Sequence, residues 1–330
     1  LTLYADIQFA LHHETWPLAK VFTISRGSKT AADVIVVSLS DGNHTGRGEC
    51  VPYARYGETL DSVSAQLHEA APPVSTSISK QDLLLALPAG SARNAVDCAL
   101  WDLEAKRSGQ PVMSRLAIPH KPITTAYTVP YGSPDDMHAT ASENAYRPIL
   151  KIKLASADDL NRLKAVRAAA PNAQLVVDAN EGWTLKEFDG FAQHLVDAKV
   201  TVVEQPVPSS ADSALKAGRY PFALCADESC HDLASLEALV GRYDMINIKL
   251  DKTGGLTEAL ALKSAAQSHG LQIMIGCMVG TSLSMAPAMM LAHDATLVDL
   301  DGPLLLKKDR ENGIQFSGSD MQLPMPELWG

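Results

Sequence analysis

From Thr124 onward the chain alternates between short apolar runs and longer amphipathic stretches. The apolar runs read as strands over 125–129, 149–154, 175–178, 200–204, 223–226, 245–249, 272–275 and 296–300. Helical stretches lie between them, such as 159–170, stopped by Pro171, and 257–268, stopped by Gly270 at a C-terminal capping position. Eight strands with helices between most of them predict an α/β fold of the (β/α) barrel type. Residues 1–117 follow another pattern. Val34 to Leu39 read as a strand, Asp41-Gly42-Asn43 as its turn, and Gly46 and Gly48 as part of a polar loop. A helix is expected from Ser91, its N-cap, with Val96, Leu100, Leu103 and the stem of Arg107 along one stripe and Gly109 and Pro111 as its stop. This is a small α+β unit. Residues 311–330 fit no further strand–helix unit and are expected to return to it, leaving 118–310 as the barrel.

Composition narrows the class without choosing a function. The 330 residues are 46% apolar and carry a formal charge of −10, which argues against nucleic acid as a partner. No apolar run approaches the ~20 residues of a membrane helix. No charged and apolar leader opens the chain, so the expected location is the cytoplasm, and the missing initiator Met suggests slight trimming. The five cysteines are odd in number, match no zinc spacing, and read as reduced structural thiols. Gly27-Ser28-Lys29-Thr30 lacks the order of a phosphate loop, and Gly46-Arg47-Gly48 lacks the third glycine of a dinucleotide site.

Candidate chemistry collects at the strand ends. Asp178 closes one apolar run, Glu204 the next, and Asp227 follows a third; the steps between them are 26 and 23 residues. Each step fits one strand, one helix and two short loops, which brings all three acids to the same end of a parallel barrel. Clustered acids repel unless a cation holds them. Three carboxylates without His or Cys suit Mg²⁺ or Mn²⁺ rather than Zn²⁺. The alternative is three unrelated solvated acids at helix starts. Lysines weigh against it. Lys151 and Lys153 flank Ile152 on one strand, so alternation points both into the barrel, and Lys249 ends a strand across the ring. Two adjacent cations depress each other's pKa, so one is expected as a neutral base near pH 7. Opposed bases beside a metal-bound carboxylate predict α-proton transfer through an enediolate, with inversion of a stereocentre or, given a β leaving group, elimination.

Lys151-Ile-Lys153, Asp178-Ala-Asn180, Glu204-Gln-Pro206, Ala226-Asp227-Glu228-Ser229, Asn247-Ile-Lys249-Leu-Asp251-Lys-Thr-Gly-Gly255 and the helix of Ala92 to Asp102 together resemble the enolase superfamily, within it the muconate-lactonizing-enzyme subgroup. The resemblance covers essentially the whole chain. It implies a modified (β/α)₇β barrel under an α+β capping domain (1–117, completed by 311–330). It also implies one Mg²⁺ per subunit on Asp178, Glu204 and Asp227, with Mn²⁺ as a substitute. Lys153 and Lys249 would form the acid/base pair, with Lys151 assisting electrostatically.

Asp299-Leu-Asp301 looks like the amine-binding element of the dipeptide epimerases. Arg26 resembles the arginine that binds the distal carboxylate in L-Ala-D/L-Glu epimerases. The stretches around Tyr53 and Met278 also look like that family. The expected function is therefore interconversion of L-Ala-D-Glu and L-Ala-L-Glu in murein peptide recycling, with a dipeptide as partner and room for homo-oligomers. N-acylamino acid racemase, o-succinylbenzoate synthase and cycloisomerase activities are the rivals on the same scaffold. A non-catalytic metal-binding barrel is the rival of another class.

Overall fold

The computed structural model describes residues 7–24, 26–75, 79–156 and 158–330. Three antiparallel strands open the chain: β1 (Gln8–Ile24), β2 (Gly27–Ser40) and β3 (Thr45–Cys50), in that order across the sheet. The helices α1 (Leu60–Ser75), α2 (Lys80–Ala86) and α3 (Ser91–Ser108) pack on it. The long hairpin runs to a register of Ile24 against Gly27, with a shift between Pro17 and Phe22.

Two sequence expectations change here. Gly46 and Gly48 lie in β3, not in a loop. A Cβ at either would run into the backbone of α3 at Ala99 or Ala95, so their small size lets the helix lie directly on the sheet. The N-cap of α3 is Gly90, whose φ of 142° suits glycine; Ser91 is the first helical residue and donates its hydroxyl to Val51 O and Glu58.

A short helix α4 (Val112–Arg115) and strand β4 (Ile123–Thr124) lead into the barrel. Its strands are β5 (Tyr127–Val129), β6 (Ile149–Lys153), β7 (Gln174–Asp178), β8 (Val200–Glu204), β9 (Ala223–Ala226), β10 (Met245–Ile248), β11 (Gln272–Gly276) and β12 (Leu297–Asp299). Each is parallel to the next, in chain order. Ala126 N donates to Val298 O and Leu300 N to Thr125 Oγ1, which nearly closes the ring.

Connecting helices are α5 (Pro134–Glu143), α6 (Asp159–Ala169), α7 (Leu185–Asp197), α8 (Leu250–Thr253), α9 (Leu256–Ser268) and α10 (Ser282–Met289). After β8 and β9 the connections carry 3-10 turns, Ser209–Ala214 and Leu233–Ala238. Alternation on β6 sends Leu150 and Ile152 outward into the layer beneath the helices and Lys151 inward. The lower barrel interior is filled by Val176, Val202, Cys225, Met245, Met274 and Leu297. This apolar floor confines the charged groups to the strands' C-terminal ends.

After α11 (Gly302–Leu305), strands β13 (Phe316–Ser317) and β14 (Asp320–Met321) pair with each other and β14 pairs with β4. The last residues then lie on α3: Trp329 Nε1 donates to Cys98 O and Gly330 N to Asp102. Among the described residues no helix is long and apolar enough to cross a membrane.

Candidate active site

The β6, β7 and β8 ladder sets Lys153 beside Asp178 and Asp178 beside Glu204 at one level of the ring. Asp227 lies one residue beyond β9, Lys249 one beyond β10, and Asp299 closes β12. The cap closes over them: Arg26 comes from the β1–β2 turn, and Tyr53 and Tyr56 from around the 3-10 turn Ala54–Tyr56. Together they enclose a cavity of ≈ 400 Å³. Arg26, Tyr53, Lys151, Lys153, Asp227, Lys249, Met278, Asp299 and Asp301 all line it; Asp178 and Glu204 lie buried outside its lining.

Lysine ammonium groups hold the acids. Lys153 Nζ is 2.6 Å from Asp178 Oδ2. Lys151 Nζ lies 2.7 Å from Asp299, 2.6 Å from Glu204 and 3.1 Å from Asp178. Lys249 Nζ donates to Asp227 Oδ2 at 2.6 Å. Burial alone would lower the pKa of Lys151 and Lys249. The surrounding carboxylates outweigh it and raise both well above the ordinary lysine value. The expected depression is therefore reversed at Lys151, where Asp299, Glu204 and Asp178 outweigh burial. Burial and Asp178 push Glu204 up to about 7, while Asp178 and Asp227, paired to lysines, are held below the usual carboxylate range despite their burial.

Could this set hold a hard cation? Among the described residues no group of three acidic, histidine or cysteine side chains stands gathered as a ready metal cage, since ammonium groups sit against the acids. The donor chemistry nevertheless fits: Asp178, Glu204 and Asp227 are buried all-oxygen donors. Glu228 Oε2 and Asp299 Oδ1 are also buried with no hydrogen-bond partner, leaving acceptor capacity that a cation or ammonium would meet.

Asp299 and Asp301 have different surroundings. Asp301 accepts from Thr128 N at 2.6 Å, and burial followed by the Asp299 charge raises it to about 7. Arg26 donates to Glu228 Oε1 at 2.7 Å and to Asn180 O at 3.0 Å, with Tyr53 OH 3.4 Å away. Its partner Glu228 was legible only as a neighbour of Asp227. Sequence reasoning also missed Lys252, whose Nζ reaches Asp227 Oδ1 and Asn247 O, and Asn247, which donates to Glu204 at 2.8 Å. The spacing of Asn247, Lys249 and Lys252 at a strand end was the available signal.

Residues 6–116 match the mandelate racemase/muconate lactonizing enzyme N-terminal domain, and residues 136–324 match the enolase C-terminal domain-like family. The chain is 45% identical to the L-Ala-D/L-Glu epimerase of Escherichia coli K12 over 313 residues, covering 94% of this chain and 98% of that protein. It is 42% identical to an N-acetyl-D-glutamate racemase of a Pseudoalteromonas species, covering 90% and 95%.

Among solved structures, an Agrobacterium tumefaciens enolase family member with homology to dipeptide epimerases, bound to sodium and L-Ala-L-Glu, superposes with a TM-score of 0.96 at 48% identity, covering 98% of this chain and all of that one. A dipeptide epimerase of Enterococcus faecalis complexed with Mg and L-Leu-L-Tyr gives 0.90 at 28% identity, covering 96% and 97%. The sheet order and both domain matches agree, and the chain belongs to the mandelate racemase/muconate-lactonizing-enzyme group of the enolase superfamily.

Proposed function

We propose that this protein is a Mg²⁺-dependent dipeptide epimerase that interconverts L-Ala-D-Glu and L-Ala-L-Glu. The observation that carries the reading is the pairing of two buried lysines, each on its own acid. Lys153 is on Asp178 and Lys249 on Asp227, and both open to a cavity with acids at one part of its wall and Arg26 at another.

Asp178, Glu204 and Asp227 would hold the metal, which would supply positive charge beside the substrate carboxylate as negative charge develops on it. Lys153 and Lys249 exchange a proton with the α-carbon, one from each face. For Lys249, burial disfavours the charge and the acids sustain it, so this lysine becomes the base when it parts from Asp227. Lys151 stays among Asp299, Glu204 and Asp178 as a fixed charge. Asp299 Oδ1, buried and without a partner, is the atom left to accept from the substrate ammonium, with Asp301 beside it. Arg26 trades part of its contact with Glu228 for the γ-carboxylate. Tyr53 and Met278 shape the wall. Such a substrate is a product of cell-wall peptide turnover, and a cytoplasmic recycling role follows from it.

The N-acetyl-D-glutamate racemase relative favours a second reading, racemisation of an N-acylated glutamate. That substrate has no ammonium group. Comparing kcat/KM for L-Ala-D-Glu and N-acetyl-D-glutamate separates the two. The dipeptide is expected to be the better substrate, and Asp299→Asn should erase the difference. A preference for the N-acetyl compound would contradict the proposal.

A further inference from the structure

Helix α3 is buried on two faces of opposite character. Ala95, Val96, Ala99, Leu100 and Leu103 pack in the cap core. Arg93, Asn94, Asp97 and Trp101 face the barrel, and all four bind the segment that follows Lys249. Asn94 Nδ2 donates to Asp251 Oδ1 at 2.8 Å, and Val51 N from the cap reaches the same oxygen at 3.0 Å. Arg93 donates to Thr253 O, Gly254 O and Glu258. Asp97 accepts from Thr257 N and Oγ1, and Trp101 Nε1 donates to Thr257 Oγ1. Gly254 and Gly255, both at positive φ, leave no room for a Cβ against Arg93 and Asp97. The fit is thus built from both sides.

Lys249 depends on this fit because the barrel ladder stops before it. The last registered pair of β10 is Ile248 with Ile275, and Lys249 is the N-cap of the single turn α8, which contains Asp251. We propose that Asn94 is a positioning residue for Lys249. By holding Asp251 it fixes the turn that aims the Lys249 ammonium into the cavity. Lys252 anchors the other side of that turn on Asp227. The inference rests on the reading of Lys249 as one of two bases.

The test is α-proton exchange without inversion, followed by NMR in deuterium oxide with Mg²⁺-loaded enzyme, separately from L-Ala-D-Glu and L-Ala-L-Glu. Lys249→Ala identifies the epimer whose proton Lys249 removes. Asn94→Ala is expected to slow exchange from that epimer about tenfold or more, since a misplacement of ~1 Å can cost ~10²-fold. Exchange from the other epimer should stay near the wild-type rate. Thr257→Val removes the hydroxyl part of the Asp97 link and the acceptor of Trp101 Nε1, leaves the Thr257 N bond to Asp97, and should give the same asymmetry at smaller amplitude, which keeps the test open should Asn94→Ala not fold. Equal slowing from both epimers, or an unchanged ratio, overturns the proposal, because a merely structural loss would not choose a face. If Lys249→Ala itself affects both epimers alike, the two-base reading fails and the proposal with it.

Discussion

Lys153 and Lys249 face the same cavity but are held by different parts of the molecule. Lys153 ends a five-residue strand, in register with Asp178, and the ladder continues one residue further through Leu154 N to Asp178 O. Lys249 stands past its ladder and is held through a turn gripped by the cap helix, 157 residues away in sequence at Asn94 and Asp251. The same chemical group is thus fixed once by local strand pairing and once by a long-range domain contact. The cap, in this account, is part of the machinery that aims one base as well as a cover over the cavity.

The sharpest way to break the comparison is to remove each lysine. Lys153→Ala and Lys249→Ala are each expected to lower epimerisation by about 10²–10⁴-fold, the usual range for an acid/base group. Each should leave proton exchange at one face only, with opposite faces surviving in the two variants. An active single variant would reassign the bases. Next in size is Arg26→Met, which should lower kcat/KM for Glu at the second position by roughly 10–100-fold, the worth of a charge-assisted contact, and improve apolar second residues. An unchanged preference in a dipeptide panel would remove Arg26 from the account.

Gly46→Ala asks whether the cap can loosen while the barrel stands. The added methyl meets the backbone of α3 and should cost about 1–3 kcal/mol in thermal or denaturant unfolding. Residual activity should show weakened exchange at the Lys249 face first.

The smallest effect concerns pH. Burial raises Asp251 from 3.8 to about 7. A carboxyl whose folded pKa lies above its unfolded value contributes stability that is fully present below the unfolded value and lost as pH rises through the folded one. Asp251→Asn should therefore gain stability relative to wild type between roughly pH 4 and 8, read as a difference in Tm. A constant difference across that range would contradict a buried charge at Asp251.

The barrel was legible because its strands are short apolar runs, most of which end on or just before a charged residue, a pattern that needs no partner to be read. Asp178, Glu204, Asp227 and the lysines announced themselves by position at those ends, and the structure brings them together at one end of the ring. The β1–β2 hairpin was only half legible. Val34 to Val37 and Leu39 are buried and apolar, whereas Gln8–Ile24 is largely exposed and mixed in polarity, so its strand character comes from pairing. Gly46 and Gly48 looked like loop residues because the reason for them is the helix lying against them. The raised pKa values of Lys151 and Lys249 were not legible at all. They depend on distances among acids that lie far apart in the chain, 148 residues for Lys151 and Asp299. Glu228 was hidden for the same reason, since its partner Arg26 lies 202 residues earlier.

The most direct test of the central claim is to incubate the protein with Mg²⁺ and L-Ala-D-Glu in deuterium oxide and follow the glutamyl α-proton by NMR. The α-proton signal should fade as L-Ala-L-Glu appears, with deuterium at the inverted centre. Persistence of the α-proton with no second diastereomer would contradict it.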